Sequence, residues 1–570
     1  IGSGVNVNVT LMFSLQHYKV VSEAYIKGLE KLAADGPSIP GGHTVDKVAS
    51  VASFFVSRVD TAVDHELENI GNKELLGKIA IANSKATYVK FQNTFKGERW
   101  DNLASKGARV QRVLWASTST KNPLYSDTLY VDELIGPNTV NTVPPVTYKN
   151  FREHGTVKET ITEGIDEAMS HLSKLSKSGT DLNAITTKLQ DDGVVAFAKS
   201  FETLMASIEE KKDRIIAEKK GYSATLGQYE STINDELKKL EGDKINQRIW
   251  NFDYFVWKDD PTEISNRLGW LHIPEVMMDA IPSINSMVDS VRAAGYKYAI
   301  LLGMGGSSLA PDVFRLTFGV KEGYLDLSVL DSSDPGAVLE HQNRVDLEKT
   351  LFIVSTKSGS TNETLSFMRY FYTEVLNKVG QEKVGEHFIA ITDPGSPLAK
   401  TAADLNFRKT FLNDPNIGGR YSVLSHFGLV PAALIGMDLN LLLERASAML
   451  CNTESCNSPL SGNNSGAWLG TIMGVLANLG RDKTTLITSP PISHFGTWVE
   501  QLIAESTGKE GRGILPVDGE ELVSPELYGS DRLFVYMRLE NDDTYDDNVK
   551  ALSDSGQPVV QLNLRDLLAQ

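Results

Sequence analysis

The sequence predicts an α/β protein with two successive regions of parallel β-sheet, separated by a long helical segment. Its 570 residues exceed the roughly 100–200 that one hydrophobic core usually serves, so more than one domain is expected. In both regions, short apolar segments alternate with amphipathic ones, which is the pattern of strands joined by helices. The composition, with 41% hydrophobic and 23% charged residues, is ordinary for a globular protein.

The first region contains four predicted strands. Apolar and polar residues alternate over Val5–Leu11, and this period of two indicates a strand with one polar face. The other three strands are predicted at Val48–Phe55, Val110–Ser117 and Tyr130–Leu134. Amphipathic helical segments such as Lys19–Leu32 separate the strands. Four strand–helix units correspond to half of a (β/α)8 barrel of the TIM type.

The second region has the pattern of a doubly wound parallel sheet. Its buried strands are predicted at Tyr298–Leu302, Leu327–Leu330, Leu351–Ser355 and Phe388–Thr392. Each strand leads into a polar or glycine-rich turn and then a helix, so ligands are expected at the carboxyl ends of the strands. A second sheet is predicted from the later strands at Leu486–Thr488, Leu533–Met537 and Val559–Leu562.

The predicted domain boundaries follow from the helical segment between the two regions. Helical periodicity extends from about Thr156 to Lys219, and a Gly-Tyr-Ser break follows at Gly221. We therefore predict a first domain with a helical tail at 1–213 and a linker at 214–220. A first sheet subdomain with its connecting helices is predicted at 221–480, and a second sheet subdomain at 481–570.

Composition also bears on the class of partner. A net charge of −17 argues against nucleic acid, because phosphate backbones attract basic surfaces. No apolar run approaches the roughly 20 residues of a membrane span, and no signal peptide opens the chain, so a cytoplasmic protein is expected. The two cysteines, Cys451 and Cys456, exclude a disulfide scaffold and do not suggest a metal site.

The segment Ser355–Thr364 places several hydroxyl side chains, a lysine and a glycine between a predicted strand and a predicted helix. Backbone N–H groups at a helix N-terminus bind phosphate, and Lys357 could add a positive charge. An ordinary helix cap is the alternative, because Ser and Thr favour that position. The segment is richer than capping requires, so we predict a phosphate site. The glycine-rich turn Gly303–Ser308, two strands away on the same sheet edge, would complete a sugar-phosphate cradle.

The second region resembles the phosphoglucose isomerases. The similar segments occur in the same order as in that family, at Gly305–Ser308, Ser355–Thr364, Gly418–Ser422 and Glu505–Lys509. The resemblance extends from about Gly221 to the end of the chain, and Gly418–Ser422 is its most specific segment. It implies two sugar-isomerase (SIS) subdomains, each with a doubly wound parallel sheet.

The same resemblance implies roles for individual residues. The phosphate would be held by Thr356, Lys357, Ser358 and Thr361, and the sugar would lie along Gly306 and Ser307. Arg420 would stabilise the charge of an enediolate, and Glu505 would be the general base that moves a proton between C1 and C2. The family also uses a histidine and a lysine for ring opening. His426 and His494 do not match that motif, and we expect the missing pair beyond Gln570.

The first region, from about Gly4 to Lys212, resembles the longer transaldolases. The similar segments are Val5–Ser14, Ala49–Arg58, Leu114–Asn122 and Leu129–Pro144. The resemblance implies a (β/α)8 barrel in which the substrate is faced by Asn8, Thr10, Ser53 and Phe55 and its phosphate by Arg58 and Lys121. For any one of these residues, an ordinary place in the barrel interior is the alternative. The Schiff-base lysine of that family would precede Ile1, so we expect this chain alone to lack transaldolase turnover.

Together the resemblances imply a bifunctional enzyme truncated at both ends. One region would interconvert glucose 6-phosphate and fructose 6-phosphate, and the other would transfer a ketol unit, with erythrose 4-phosphate and sedoheptulose 7-phosphate as further substrates. Neither reaction needs an organic cofactor or a metal. A homodimer is expected from the isomerase family, and a plastid location is the alternative if a transit peptide preceded Ile1. The alternative functions are a non-catalytic SIS-type sugar-phosphate sensor and a half-barrel that is only a structural appendage.

Overall fold

The chain forms two compact units, Ile1–Asp213 and Arg214–Gln570. The computed structural model describes residues 1–35, 43–122, 124–216, 221–454, 457–460 and 464–569. Residues 217–220 of the predicted linker, and Cys456, lie outside these ranges. No helix in the described ranges combines the length and the apolar character needed to cross a membrane.

The first unit contains one parallel sheet with the strand order β1-β2-β3-β4. The strands are β1 (Val7–Met12), β2 (Ser50–Phe55), β3 (Arg112–Ala116) and β4 (Thr139–Asn141). The helices are α1 (Leu15–Asp35), α2 (Ser57–Asn69), α3 (Ile79–Thr94), α4 (Glu98–Ala104), α5 (Leu129–Asp132), α6 (Pro145–His154), α7 (Ile165–Lys177) and α8 (Leu182–Ile216). The sheet is open, with β1 and β4 at its edges, and agrees with the predicted half-barrel.

The two faces of this sheet differ in polarity. One face packs in a single cluster with α2, α3 and α7 through the buried residues Ala52, Phe54, Val113 and Trp115. The opposite face carries the residues predicted to meet the substrate, because Asn8 pairs with Val51 and side chains two residues apart share a face. Strand register therefore puts Asn8, Thr10, Ser53 and Phe55 on one side of the sheet.

The strand predicted at Tyr130–Leu134 was wrong, because this segment contains the short helix α5. The hydroxyl of Thr128 donates to Asp132 (2.6 Å) and closes the first turn. The hydroxyl of Tyr130 donates to Asp60 (2.9 Å), which turns the aromatic ring into the core. These contacts override the strand propensity of the aromatic and β-branched residues, and the fourth strand forms instead at Thr139–Asn141.

The second unit contains two five-stranded sheets. The strands are β5 (Tyr222–Thr225), β6 (Tyr298–Gly303), β7 (Asp326–Leu330), β8 (Thr350–Ser355), β9 (Phe388–Thr392), β10 (Lys409–Leu412), β11 (Lys483–Thr488), β12 (Leu515–Val517), β13 (Arg532–Leu539) and β14 (Val559–Leu564). The helices are α9 (Glu230–Gly242), α10 (Ile245–Trp250), α11 (Ile273–Met278), α12 (Ile281–Ala293), α13 (Leu309–Phe318), α14 (Pro335–Arg344), α15 (Asn362–Val379), α16 (Pro397–Asp404), α17 (His426–Leu434), α18 (Leu439–Thr453), α19 (Ser465–Asn478), α20 (Phe495–Thr507) and α21 (Asp546–Asp554).

The first of these sheets is parallel throughout, with the order β10-β9-β8-β6-β7. Separate hydrophobic clusters cover its two faces, which confirms the predicted doubly wound fold. Strands β6 and β8 are direct neighbours rather than two strands apart, because the chain returns past β6 after forming β7. This reversal is the topological switch point of the sheet, at the carboxyl ends of β6 and β8, where ligands of such folds bind.

The second sheet has the order β12-β11-β13-β14-β5, and β5 pairs antiparallel with β14. The sequence did not predict β5, β10 or β12, which are only three or four residues long. The segment that forms β5 was interpreted as a domain break because it begins with Gly221. Its strand conformation depends on pairing with Val559–Leu562, more than 300 residues later, and local sequence does not contain that information.

Candidate active site

The turn between β8 and α15 is folded tightly against its neighbours. Gly359 has a φ of +67°, and a Cβ there would lie 2.8 Å from the backbone nitrogen of Leu398. Thr361 precedes α15 but makes no side-chain cap. Its hydroxyl instead shares a hydrogen bond of 2.9 Å with that of Thr356. The N–H groups that begin α15 therefore receive no cap from Thr361, which removes the capping explanation for this residue.

Serine side chains shape the middle of the same turn. The backbone N–H of Ser360 donates to the hydroxyl of Ser358 (3.2 Å), and the two hydroxyls are 2.9 Å apart. Both serines are exposed, whereas Thr356 is buried. The turn thus presents hydroxyl and N–H donors around a helix N-terminus, which is the environment that an anionic group prefers.

Lys357 does not extend toward these hydroxyls as an isolated charge. Its ammonium forms an ion pair with the carboxylate of Asp393, which follows β9, and donates to the carbonyl oxygen of Pro415 (3.0 Å). Burial raises the pKa of the Asp393 carboxyl, although the neighbouring Lys357 acts to lower it. The positive charge predicted for this turn is therefore already paired.

The turn after β6 lies against the segment Gly418–Ser422. A Cβ on Gly306 would be only 2.4 Å from the carbonyl oxygen of Gly419, so a side chain cannot be accommodated without moving the backbone. The hydroxyl of Ser422 donates to the carbonyl oxygens of Gly419 (2.7 Å) and Gly306 (3.3 Å). Ser307 is buried, and its carbonyl oxygen accepts from Ser355 at the end of β8 (3.2 Å). Three predicted segments are thereby brought together.

Arg420 and Glu505 meet beside this turn although they are 85 residues apart in sequence. The guanidinium Nη1 of Arg420 donates to Oε2 of Glu505 (2.9 Å), and Nε2 of Gln501 donates to Oε1 (2.8 Å). Both oxygens of the carboxylate are thus oriented in the last turn of α20. Because the Glu505 side chain is 48% exposed, a substrate could reach it. A fixed carboxylate beside a guanidinium can move a proton and stabilise the oxyanion that results.

The sequence analysis did not predict two residues that support this cluster, Ser506 and Gln501. The hydroxyl of Ser506 accepts from Nε of Arg420 (3.0 Å) and bonds the hydroxyl of Tyr421 (2.8 Å). Gln501 lies four residues before Glu505, and this spacing on one helix face was the available signal. The Tyr421 ring stacks on Trp270 with centroids 5.2 Å apart.

The two nearby histidines lie at the starts of helices α17 and α20. His426 begins α17, and burial lowers its pKa to about 4, so it is neutral at physiological pH. Its ring packs against Phe411, with centroids 5.3 Å apart. His494 precedes α20 at its N-terminus.

In the first unit, the predicted residues lie on the polar face of β1 and β2 and in the segments that follow β2 and β3. The hydroxyl of Ser53 donates to Oδ1 of Asn8 (2.9 Å). The Arg58 guanidinium, in the first turn of α2, lies 5.4 Å from the centre of the Phe55 ring. Lys121 follows β3, and its ammonium donates to Ser119 (3.0 Å). Thr10, like Asn8, is exposed on the polar face of the sheet.

Comparison with known protein families assigns the two regions separately. Residues 1–208 match the family model for transaldolase/fructose-6-phosphate aldolase, and residues 278–513 match that for phosphoglucose isomerase. The chain joins a transaldolase-family region to a phosphoglucose isomerase-family region.

Curated relatives support the assignment of the transaldolase region. A transaldolase of Saccharopolyspora erythraea is 44% identical over 216 residues, which cover 38% of this chain and 57% of that protein. A transaldolase of Thiobacillus denitrificans is 45% identical over 208 residues, which cover 36% of this chain and 56% of that protein. The chain therefore spans little more than half the length of these relatives.

Solved structures support the fold of the isomerase region. A hypothetical protein of Thermus thermophilus superposes with a TM-score of 0.51 at 22% identity, covering 61% of this chain and 89% of that chain. A glucose-6-phosphate isomerase of Chlamydia trachomatis gives a TM-score of 0.50 at 19% identity, covering 61% of this chain and 79% of that chain. At these identities the likeness concerns the fold.

Proposed function

We propose that the phosphoglucose isomerase region interconverts glucose 6-phosphate and fructose 6-phosphate. The observation that supports this function best is the contact between Arg420 and Glu505, which joins a candidate base to a candidate oxyanion stabiliser. The substrate phosphate would bind at the N-terminus of α15, on the turn that contains Thr356, Ser358 and Thr361. The sugar would extend from there along Gly306 and Ser307.

Each group in this proposal has a defined task. Glu505 accepts the proton from C2 of the open-chain aldose and returns it to C1, so that the reaction passes through a cis-enediol. Arg420 stabilises the negative charge that develops on the sugar oxygens, and it does so more strongly in the transition state than in the substrate. Gln501 holds the second oxygen of Glu505 and thereby directs the first toward the substrate. The mechanism requires no cofactor or metal.

We further propose that residues 1–213 bind sugar phosphates of the transaldolase reaction and that residues 221–570 carry the isomerase chemistry, with 214–220 as the linker. Arg58 and Lys121 would contact phosphate, and Asn8, Thr10, Ser53 and Phe55 would face the sugar. Sedoheptulose 7-phosphate and erythrose 4-phosphate are the expected ligands, and calorimetric titration of the chain tests this. A homodimer and a cytoplasmic location stay predictions from the sequence.

The isomerase proposal is tested with a coupled assay that follows the conversion of fructose 6-phosphate to glucose 6-phosphate. Glu505→Gln is expected to lower kcat by about 10²–10⁴-fold, the usual contribution of a general base. Glu500→Gln is the matched control because Glu500 is an exposed carboxylate on the same helix, and it should leave kcat unchanged. A folded parent chain that binds fructose 6-phosphate but neither converts it nor exchanges its C1 hydrogen with solvent would contradict the proposal and favour a sugar-phosphate sensor.

A further inference from the structure

The ion pair between Lys357 and Asp393 connects the phosphate-type turn to the end of a neighbouring strand. Lys357 lies in the turn after β8, and Asp393 directly follows β9. The two side chains are 24% and 15% exposed, so the pair is largely shielded from water. The ammonium also donates to the carbonyl oxygen of Pro415, which follows β10 (3.0 Å). One side chain thus joins segments that follow three adjacent strands.

The backbone around Lys357 reinforces this connection. Its carbonyl oxygen accepts from the N–H of Asp393 (3.1 Å) and from the hydroxyl of Thr392 (3.3 Å). The same Thr392 hydroxyl bonds that of Ser396 (2.8 Å). Lys357 is therefore fixed through both its backbone and its side chain to the segment that follows β9, and the turn cannot move independently of that segment.

The hydrogen-bonding capacity of the ammonium limits what else Lys357 can do. A lysine has three N–H donors, and two are used by Asp393 and Pro415, so at most one can meet a phosphate. If Lys357 turned toward a phosphate, the Asp393 carboxylate would lose its cation while largely buried. Asp393 already has a buried Oδ1 atom without a hydrogen-bond partner, so this loss would be costly.

We propose that Lys357 and Asp393 form a positioning pair that fixes the phosphate-binding turn, and that the Lys357 ammonium is not a phosphate ligand. The phosphate is then held by backbone N–H groups of the turn and α15, together with the hydroxyls of Thr356, Ser358 and Thr361. This inference deepens the proposed isomerase function and rests on it for the identity of the ligand.

The charges around the pair are consistent with a positioning role. Asp414 lies close enough to Asp393 to raise its pKa, and Arg267 acts in the opposite sense. With Lys357 paired to Asp393, the pair adds no net charge beside the turn. A phosphate dianion would meet a neutral pair rather than an isolated carboxylate, which would repel it.

The two possible roles of Lys357 predict opposite effects of removing Asp393. If Lys357 were a ligand, Asp393→Asn would release a cation for the phosphate, and the Kd for fructose 6-phosphate would fall. If the pair positions the turn, Asp393→Asn and Lys357→Met should each raise that Kd about tenfold, which corresponds to about 1.4 kcal/mol. The double variant should bind fructose 6-phosphate no more weakly than either single variant, because each single substitution already breaks the ion pair.

The experiment measures Kd for fructose 6-phosphate and for inorganic phosphate by calorimetric titration of the full chain, with kcat and KM from the coupled assay. A positioning role predicts that KM rises with Kd whereas kcat changes little. Exchange of the backbone amides at 356–361 should also accelerate in both single variants without ligand. The control variants Asp235→Asn and Lys238→Met break an exposed ion pair on α9 and should change none of these values.

The outcomes separate the inference from the proposed function. Tighter binding in Asp393→Asn, or additive losses in the double variant, would overturn the positioning pair. A parent chain that binds fructose 6-phosphate with the predicted variant pattern but neither isomerises it nor exchanges its C1 hydrogen with solvent would overturn the proposed function alone. Absence of binding of both fructose 6-phosphate and phosphate to the parent chain would overturn both.

Discussion

The two units of this chain place their predicted site residues by different means. In the transaldolase-family unit, four of these residues lie on strands, and strand register alone puts Asn8 and Ser53 on one face. In the isomerase-family unit, the residues lie on turns that come from distant segments, such as those that contain Gly306 and Arg420. A site on strands depends on periodicity, whereas a site on turns depends on close contacts between segments.

This difference predicts how each unit responds to substitution. In the isomerase-family unit, the Ser506 hydroxyl bonds both Arg420 and Tyr421, so the effects of single changes should be coupled. In the transaldolase-family unit, Ser53 and Asn8 form a hydrogen-bonded pair on neighbouring strands. Changes there should affect binding locally, and their effects should be closer to additive.

The largest expected effect is that of Gly306→Ala, which tests whether the site in the isomerase-family unit depends on close contacts between turns. The added Cβ would lie 2.4 Å from the carbonyl oxygen of Gly419 and force the turn away from the segment that carries Arg420. We expect kcat/KM in the coupled assay to fall about 100-fold, because small displacements of catalytic groups cost about that much.

The matched control for this substitution is Gly470→Ala in α19, where a Cβ would meet no atom within 4 Å. Alanine there should stabilise the helix by about 0.5–1 kcal/mol and leave activity unchanged. Gly306→Ala with activity close to that of the parent chain would contradict the idea that the turn positions Arg420.

A smaller effect is expected for Arg58→Met in the transaldolase-family unit. Removing the guanidinium should weaken the binding of sedoheptulose 7-phosphate about tenfold, because one charge-assisted contact to phosphate is lost. Arg99→Met, which breaks exposed ion pairs with Glu23 and Glu30, is the control and should leave binding unchanged. Calorimetric titration distinguishes the two, and equal affinities in Arg58→Met and the parent chain would argue against a phosphate contact.

The last prediction concerns stability rather than ligand binding. Burial raises the pKa of Asp60 in α2 from 3.8 to about 7, with a further contribution from Asp64. Between these pH values the folded chain retains a proton that the unfolded chain releases, so the stability contributed by Asp60 falls as pH rises from about 4 to 7. Asp60→Asn should remove this loss, which for one proton is at most about 1.4 kcal/mol per pH unit.

Urea unfolding at several pH values between about 4 and 8 measures the effect. The free energy of unfolding of Asp60→Asn, relative to the parent chain, should increase with pH across this window. Asp192→Asn changes an exposed carboxylate on α8 that pairs with Lys188, and it should leave the pH dependence as it is in the parent. Parallel pH profiles for Asp60→Asn and the parent chain would show that Asp60 does not titrate in this range.

Local patterns in the sequence were sufficient for the longer strands and for the faces that they present. The apolar run that forms β9 has the predicted bounds, Phe388–Thr392, because turn residues follow it directly. Period-two alternation identified the polar face of β1. The resemblance to known families added Arg420 and Glu505, which no periodicity distinguishes from other charged residues.

Only the tertiary structure determines the hydrogen-bond or ion-pair partner of each polar group. Lys357 was predicted to face a phosphate, and the fold also pairs its ammonium with Asp393, which comes 36 residues later. Gln501 became part of the site because α20 presents it beside Glu505, and α5 replaced a predicted strand because Tyr130 bonds Asp60. Periodicity in the sequence indicates which face of an element is apolar. A charged or hydroxyl group, however, forms hydrogen bonds with the groups that the fold places beside it, and those groups come from distant parts of the chain.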